Sequence, residues 1–387
     1  MYNWCSKRIF MRATIIFTSM LCLVIFPIVL NAQQKPVNLL IGTYTNTGKS
    51  EGIYVYSFDP ANGNLSYKNK VVTDNPSFLT VSPDKKFVYA VNELNGGKGS
   101  ASAFAYDGKT GGLKFLNKEL TAGDDPCNII VDKENKHVIV ANYSGGNLTV
   151  FGITTEGLLT SKKQLIAHEG NGPDKSRQEK PHVHSATLAP DEKFLLVQDL
   201  GIDRIKVYGY DGSNTNAPVS LTNVGEAKAS PGSGPRLVTF SQDGRYVYLI
   251  QEMKSAVTVY TYEHGVLKPI QEITMLPQAF KGDVGAADIH ISPDGKFLYA
   301  SNRGDANDIA IYAINANDGK LSHVKNQSVE GKGPRSFALA PGGKYVLVAN
   351  QYTNDVLVFE RNAQTGLLKN TGKKITVGAP VCLVFDE

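Results

Sequence analysis

The stretch Gly234–Glu252, GPRLVTFSQDGRYVYLIQE, holds the pattern that the rest of the chain repeats. Gly-Pro opens it, an alternating run follows from Arg236 to Phe240, and Ser241-Gln242-Asp243-Gly244 supplies a turn. A second apolar run, Tyr246 to Ile250, ends in the polar pair Gln251 and Glu252. Aromatic and β-branched residues at period two on either side of an Asp-Gly turn predict a β-hairpin. In such a hairpin the start of the first strand and the end of the second meet. Arg236 and Glu252 therefore belong to one rim.

The same hairpin returns as NPSFLTVSPDKKFVYAVNE (75–93), DPCNIIVDKENKHVIVANY (125–143), HVHSATLAPDEKFLLVQDL (182–200), AADIHISPDGKFLYASNR (286–303) and GPRSFALAPGGKYVLVANQ (333–351). A seventh start, APVCLVFDE, ends the chain at Glu387. Starts recur about every fifty residues, a repeat period, with one longer spacing before the third. Between hairpins lie a third strand, such as Val257 to Tyr262 or Asp355 to Glu360, a Gly-containing turn and a weaker fourth strand. Four antiparallel strands per repeat make a propeller blade. The seventh repeat has only its first strand, but Asn38 to Asn46 fits the second-strand pattern and Gly52 to Asp59 the third. Pairing the two ends closes the ring and removes its exposed edges. The expected fold is all-β, a seven-bladed β-propeller over residues 33–387.

Residues 1–32 stand apart. Lys7, Arg8 and Arg12 precede an apolar run from Ile15 to Leu30, and Asn31-Ala32 offers a small-residue exit. That order predicts a signal peptide cleaved near Ala32. The apolar run is shorter than the ~20 residues of a spanning helix and contains Pro27. A periplasmic or secreted protein is expected, with no membrane attachment after cleavage. Its charge is then nearly balanced, which excludes any argument for nucleic acid. Cys5 and Cys22 leave with the leader, and Cys127 and Cys382 are too few for a disulfide framework. A monomer is expected.

Aligned on the Ser-Pro-Asp turn, the repeats give two rows of residues. First strands begin at Ser77, Cys127, His184, Arg236, Ala287, Arg335 and Val381. Second strands end at Glu93, Tyr143, Leu200, Glu252, Arg303 and Gln351, preceded by Asn92, Asn142, Asp199, Gln251, Asn302 and Asn350. Inner strands line a propeller's channel, so both rows point to one mouth, a concave place with convergent polar groups. The Asn row reads as strand-end hydrogen bonding, with Asn302 and Asn350 as possible contacts. His137, His168, His264 and His323 read as surface residues. His182, His184 and His290 fall on inner-strand positions, His182 being open to either reading, a satisfied inner histidine or a ligand contact. Arg236, Arg303 and Arg335 against Glu252 and Asp288 leave positive charge over for an anionic ligand.

Other chemistries find no support. The sequence has no Gly-x-Ser-x-Gly elbow, no phosphate-cradling glycine loop before a helix and no closely spaced Cys/His pairs. Strand alternation sends His182 and His184 to opposite faces, against a metal pair. Glu93, Asp199, Glu252 and Asp288 are carboxylates that a Ca²⁺ site would use, but arginines interleave them. No metal and no cofactor are expected.

HSATLAPD (184–191), GSGPRLVTF (232–240) and AADIHISPDGKFLYASNR (286–303) resemble the marks of the seven-bladed β-propeller lactonases. The resemblance spans the mature chain. That family opens sugar lactones such as 6-phosphogluconolactone or, in its fungal carboxymuconate branch, closes a lactone ring. Carried over by motif, it implies a catalytic set of His184, Arg236, Glu252 and Arg303. His182, Asp288, His290 and Arg335 are the associated substrate-binding candidates. Two departures stand out: an export signal where the family's phosphogluconolactonase meets a cytoplasmic intermediate, and Gln251-Glu252-Met253 where Asn-Glu-Leu is usual. Because a fold does not fix a substrate, three readings follow. They are hydrolysis of a sugar lactone with Glu252 or His184 as base, cyclisation of an unsaturated diacid, and an exported propeller that only binds a ligand or protein. In the enzymatic readings, Arg335 holds a carboxylate or phosphate of the substrate. A catalytic Glu252 implies that Glu252→Gln lowers rate and leaves stability little changed.

Overall fold

The computed structural model describes residues 1–4 and 35–386; the expected leader's apolar run and its exit at Ala32 lie outside them. Contacts divide the chain into residues 1–33 and 34–387. The second unit contains seven four-stranded antiparallel sheets among the described residues. The quoted stretch forms the two inner strands of the fourth blade, Pro235–Phe240 and Tyr246–Gln251, with Ala256–Glu263 and Val266–Thr274 outside them. In six blades the strands run outward in chain order. The seventh is composite: Pro380–Phe385 is its inner strand, and Val37–Thr43, Gly52–Asp59 and Asn64–Val72 complete it. Leu39 to Gly42 pair with Phe385 to Cys382. The Asp386 carboxylate secures that join, accepting from the Asn38 amide N–H at 2.8 Å and from the Tyr106 hydroxyl at 2.7 Å.

The hairpin turn owes its shape to its sequence. Ser241 Oγ accepts from the Tyr246 N–H and donates to Asp243, while Gly244 takes φ +70°. The same bonds recur at Ser82/Asp84 and Ser292/Asp294. Beyond the turn, alternation along each second strand fills both seams of its blade. Tyr248 and Ile250 pack with Leu298 and Ala300 of the fifth blade, whereas Val247 and Leu249 pack with Leu196 and Val207 of the third.

A second device locks neighbouring blades. The Tyr248 hydroxyl donates to the Gly319 carbonyl of the next blade at 2.9 Å, and Tyr89 and Tyr299 do the same to Gly157 and Gly366. Gly319 has φ +71°, and a Cβ there would lie 2.5 Å from the Tyr246 ring. Gly319→Ala is thus expected to cost ~1–3 kcal/mol through left-handed strain and overpacking. Thermal denaturation checks this, and an unchanged midpoint would show that the seam is not close-packed.

Two histidines expected on the surface are buried. His137 Nδ1 lies 2.9 Å from Asp132 and His168 Nδ1 2.7 Å from Asp199, with the hydroxyls of Tyr210 and Tyr208 closing the networks. A buried imidazole needs such partners. The tyrosines come from the following blade, out of reach of any local reading. His264 and His323 are exposed, as expected.

Candidate active site

The inner strands face one another around a channel. Where the inner strand leaves the rim in six of the blades, the second to the seventh, its pairing with the second strand skips a residue. Val183 opposes Asp199 and Ser185 opposes Gln198, which leaves His184 bulged. The same break leaves out Arg236 between Pro235 and Leu237, Arg335 between Pro334 and Ser336, and Cys127 between Pro126 and Asn128. The fifth blade breaks over Ala287 and Asp288, and the seventh beside Val381. A bulge frees one residue from the ladder and re-aims its side chain. Here it turns the first-strand row inward. It also suspends the expected alternation of His182 and His184, because both imidazoles contact the Tyr143 ring, at 4.5 and 5.6 Å.

The channel has three parts. A chamber of about 340 Å³ is lined by Tyr44, Glu93, Tyr143, Arg177, His184, Glu252, Arg303, Arg335 and Cys127. Below it, a constriction of about 20 Å³ runs between Arg236, Arg335, Asp288 and Ser77. A second space of about 470 Å³ follows, lined by Thr80, Ile130, Thr187, Thr239 and His290. A wider concavity of about 580 Å³ lies on the outer strands of the fourth blade around Arg245 and Tyr262. Its lining brings one arginine and one acid, Arg245 and Glu263, where the chamber gathers three arginines and two acids, so the chamber is the candidate site.

Glu252 is the chamber's hub. Its Oε2 accepts from Arg236 Nε at 2.9 Å and lies 3.1 Å from an Arg303 nitrogen; its Oε1 accepts from Arg177 at 2.8 Å. Burial alone would raise the Glu252 carboxyl, but the Arg303 and Arg236 charges, with the Arg177 hydrogen bond, hold it well below the ordinary carboxylate range. Burial and the adjacent Arg303 bring Arg236 down to about 10, so it remains a cation at neutral pH. His184 Nε2 lies 3.7 Å from Glu252. Burial and the Arg236 charge depress the imidazole well below 6.5, which makes this the approach of a neutral ring, not an ion pair. Among the described residues its Nδ1 has only the Cys127 sulfur, at 3.9 Å. Burial keeps that thiol protonated, raising its pKa with the help of Glu93.

His184, Glu252, Arg303 and Arg335 thus meet in the chamber, with Arg236 directly beneath. Asp288 lies in the constriction, accepting from the Phe337 N–H at 3.0 Å. His182 and His290 stand elsewhere. His182 stacks behind Tyr143, its nitrogens 3.2 Å from the Tyr143 carbonyl and from Glu179. His290 lines the second space, 3.1 Å from Asp288, because it sits three positions further along the inner strand than Ala287 of the bulged row. Asn302 and Asn350 are fully buried in bonds to Ser255 and Asp355.

Sequence reasoning passed over Arg177 and Tyr44. Arg177 sits in the long connection between Leu159–Ala167 and Val183–Leu188, and the wider spacing before the third repeat was its only trace. Fully buried Gln178 anchors that connection, donating to the Leu200 carbonyl and to Asp203, which in turn accepts from the Ser233 and Gly234 N–H groups just before Arg236. Tyr44 directly follows the seventh blade's second strand, Val37–Thr43. Extending the row of Glu252 and Arg303 to that strand would have found it.

The family model for the lactonase 7-bladed β-propeller matches residues 38–385. The chain belongs to this family of lactonases. It is 34% identical to the 6-phosphogluconolactonase of Bacillus subtilis over 89% of this chain and 97% of the relative. Identity to the Formosa agariphila 6-phosphogluconolactonase is also 34%, over 88% and 96%. Among solved structures, the periplasmic gluconolactonase of Pseudomonas aeruginosa superposes with a TM-score of 0.86 at 37% identity, covering 91% of this chain and 99% of that one.

Proposed function

We propose that this protein hydrolyses sugar lactones, 6-phosphogluconolactone among them, with His184 as general base. The observation that carries the assignment is the contrast between the two candidate bases. Glu252 is ionised and saturated by three guanidinium groups, so it has little basicity left. His184 is neutral, and among the described residues its ring nitrogens have no polar partner nearer than Glu252 at 3.7 Å and the Cys127 sulfur at 3.9 Å. A general base must be unprotonated and within reach of its water.

In this reading His184 takes a proton from water as the oxygen adds to the lactone carbonyl carbon. The charge that develops on the carbonyl oxygen faces Arg303 and Arg236, already held in place by Glu252. Collapse breaks the ring C–O bond, and the departing oxygen recovers the proton from the His184 imidazolium. The product is the open hydroxy acid. Arg335, across the chamber, is left for an anionic substituent. Export is part of the proposal, supported by the leader pattern and by the periplasmic relative. The test is acid release from a panel of lactones by protein purified from the periplasmic or secreted fraction, with its N-terminus determined. Hydrolysis by a chain beginning after Ala32 is expected. Binding of a sugar acid without turnover would leave a binding module, and an intact Met1 would contradict cleavage.

A further inference from the structure

Across the ring from His184 and Glu252, the chamber wall holds a carboxylate and a guanidinium that do not pair. Glu93, from the first blade, accepts from the Tyr44 hydroxyl at both oxygens, 2.8 and 2.9 Å. Arg335, from the sixth, lies over the face of the same ring, 5.3 Å from its centroid, and forms no ion pair within 4 Å among the described residues. Left to themselves, such groups form a charge-assisted bond with each other. Tyr44 stands between them, its hydroxyl on the acid and its ring face under the base, where a cation is stabilised by the π-system. Burial raises the Tyr44 pKa, so it remains a phenol and a donor.

The consequence is a wall with unspent capacity of both signs. A carboxylate has about four lone-pair sites, and on the Glu93 side chain one hydroxyl is the only donor among the described residues. The Arg335 donors likewise have no carboxylate to meet among the described residues. A ligand that satisfies both must bring hydroxyl donors and an anion together.

We propose that Tyr44, Glu93 and Arg335 form a specificity subsite for a lactone bearing free hydroxyls and an anionic group, the hydroxyls donating to Glu93 and the anion held by Arg335. This rests on the hydrolytic reading above and deepens it. It favours a polyhydroxylated sugar lactone with a phosphate or carboxylate over an unsaturated diacid, which has no hydroxyl for Glu93 and would set a carboxylate against it.

Four lactones separate the contributions: δ-valerolactone with neither feature, glucono-δ-lactone with hydroxyls, its 6-phosphate, and glucaro-1,5-lactone with a carboxylate in place of the phosphate. Glu93→Gln is expected to reduce the kcat/KM preference for glucono-δ-lactone over δ-valerolactone by about tenfold or more, the scale of a hydrogen bond to a charged group. Arg335→Met should reduce the preference for the phosphate or the carboxylate over glucono-δ-lactone to a similar degree, and which of the two falls more identifies the anion. Tyr44→Phe, which frees Glu93 and Arg335 to pair, should reduce both preferences. Parallel losses on all four substrates in Glu93→Gln and Arg335→Met would overturn the subsite. If the wild-type protein hydrolyses none of them, the hydrolytic reading fails, and calorimetry with 6-phosphogluconate tests the subsite alone. Weaker binding in both variants would support it, and unchanged affinity would overturn it.

Discussion

His184→Asn is expected to lower lactone turnover by ~10²–10⁴-fold, the range over which a positioned general base acts. The side chain carries no backbone hydrogen bond of its own among the described residues, so the variant should fold. The pH profile adds an independent readout. The proposed role of His184 as a base requires the unprotonated ring, and burial beside Arg236 depresses its pKa. The wild-type kcat/KM should therefore hold its plateau as pH falls through 6.5, declining only where the imidazole finally protonates. An acid limb centred at or above that value, or an asparagine variant at full rate, would place the base elsewhere.

Glu252→Gln should have the second-largest effect, and on two quantities at once. The sequence alone suggested a loss of rate with the fold spared. The structure revises this, because Glu252 is a hub: its neutralisation leaves buried Arg236 beside Arg303 with no paired carboxylate among the described residues. Removing one partner of a buried ion pair costs about 3–5 kcal/mol. The rate should drop ~10²-fold or more as the arginines proposed to bind the oxyanion lose their fixed positions. The stability loss has a pH signature. Because the folded carboxyl is held below its ordinary 4.5, its contribution is complete above that pH and fades as pH falls through the folded value. Denaturation midpoints of wild type and variant should accordingly converge in acid. A gap that stays constant from pH 7 to 3 would mean that the carboxylate's charge is not what stabilises the ring.

The architecture was legible because it is written seven times. A single Ser-x-Asp-Gly hairpin is ambiguous, but its recurrence, and the fit of Asn38–Asn46 to a second strand, left few alternatives to a closed ring. The rows of strand starts and strand ends were legible for the same reason, and they brought His184, Arg236, Glu252, Arg303 and Arg335 together. What escaped was whatever breaks the period. Arg177 arrives on the one long connection. His168 and His137 are buried by carboxylates and by tyrosines of a neighbouring blade, contacts without any local trace. His290 shares the inner strand with the site but sits three residues deeper, beyond the constriction. Strict alternation also misjudged His182 and His184, since a bulge inserts a residue that simple period-two counting does not include.

That inserted residue divides labour within the blades that carry it. The paired residues of the inner strand answer to the sheet, and their side chains are constrained by the seams they fill. The bulged one has no partner opposite it, so the ladder exerts no vote on its identity. Cysteine, histidine, two arginines and valine occupy the equivalent address in five blades of this one chain. The ring therefore behaves as a socket with interchangeable pins. Its chemistry can be rewritten one blade at a time, while the strands that hold the pins in register stay as they are.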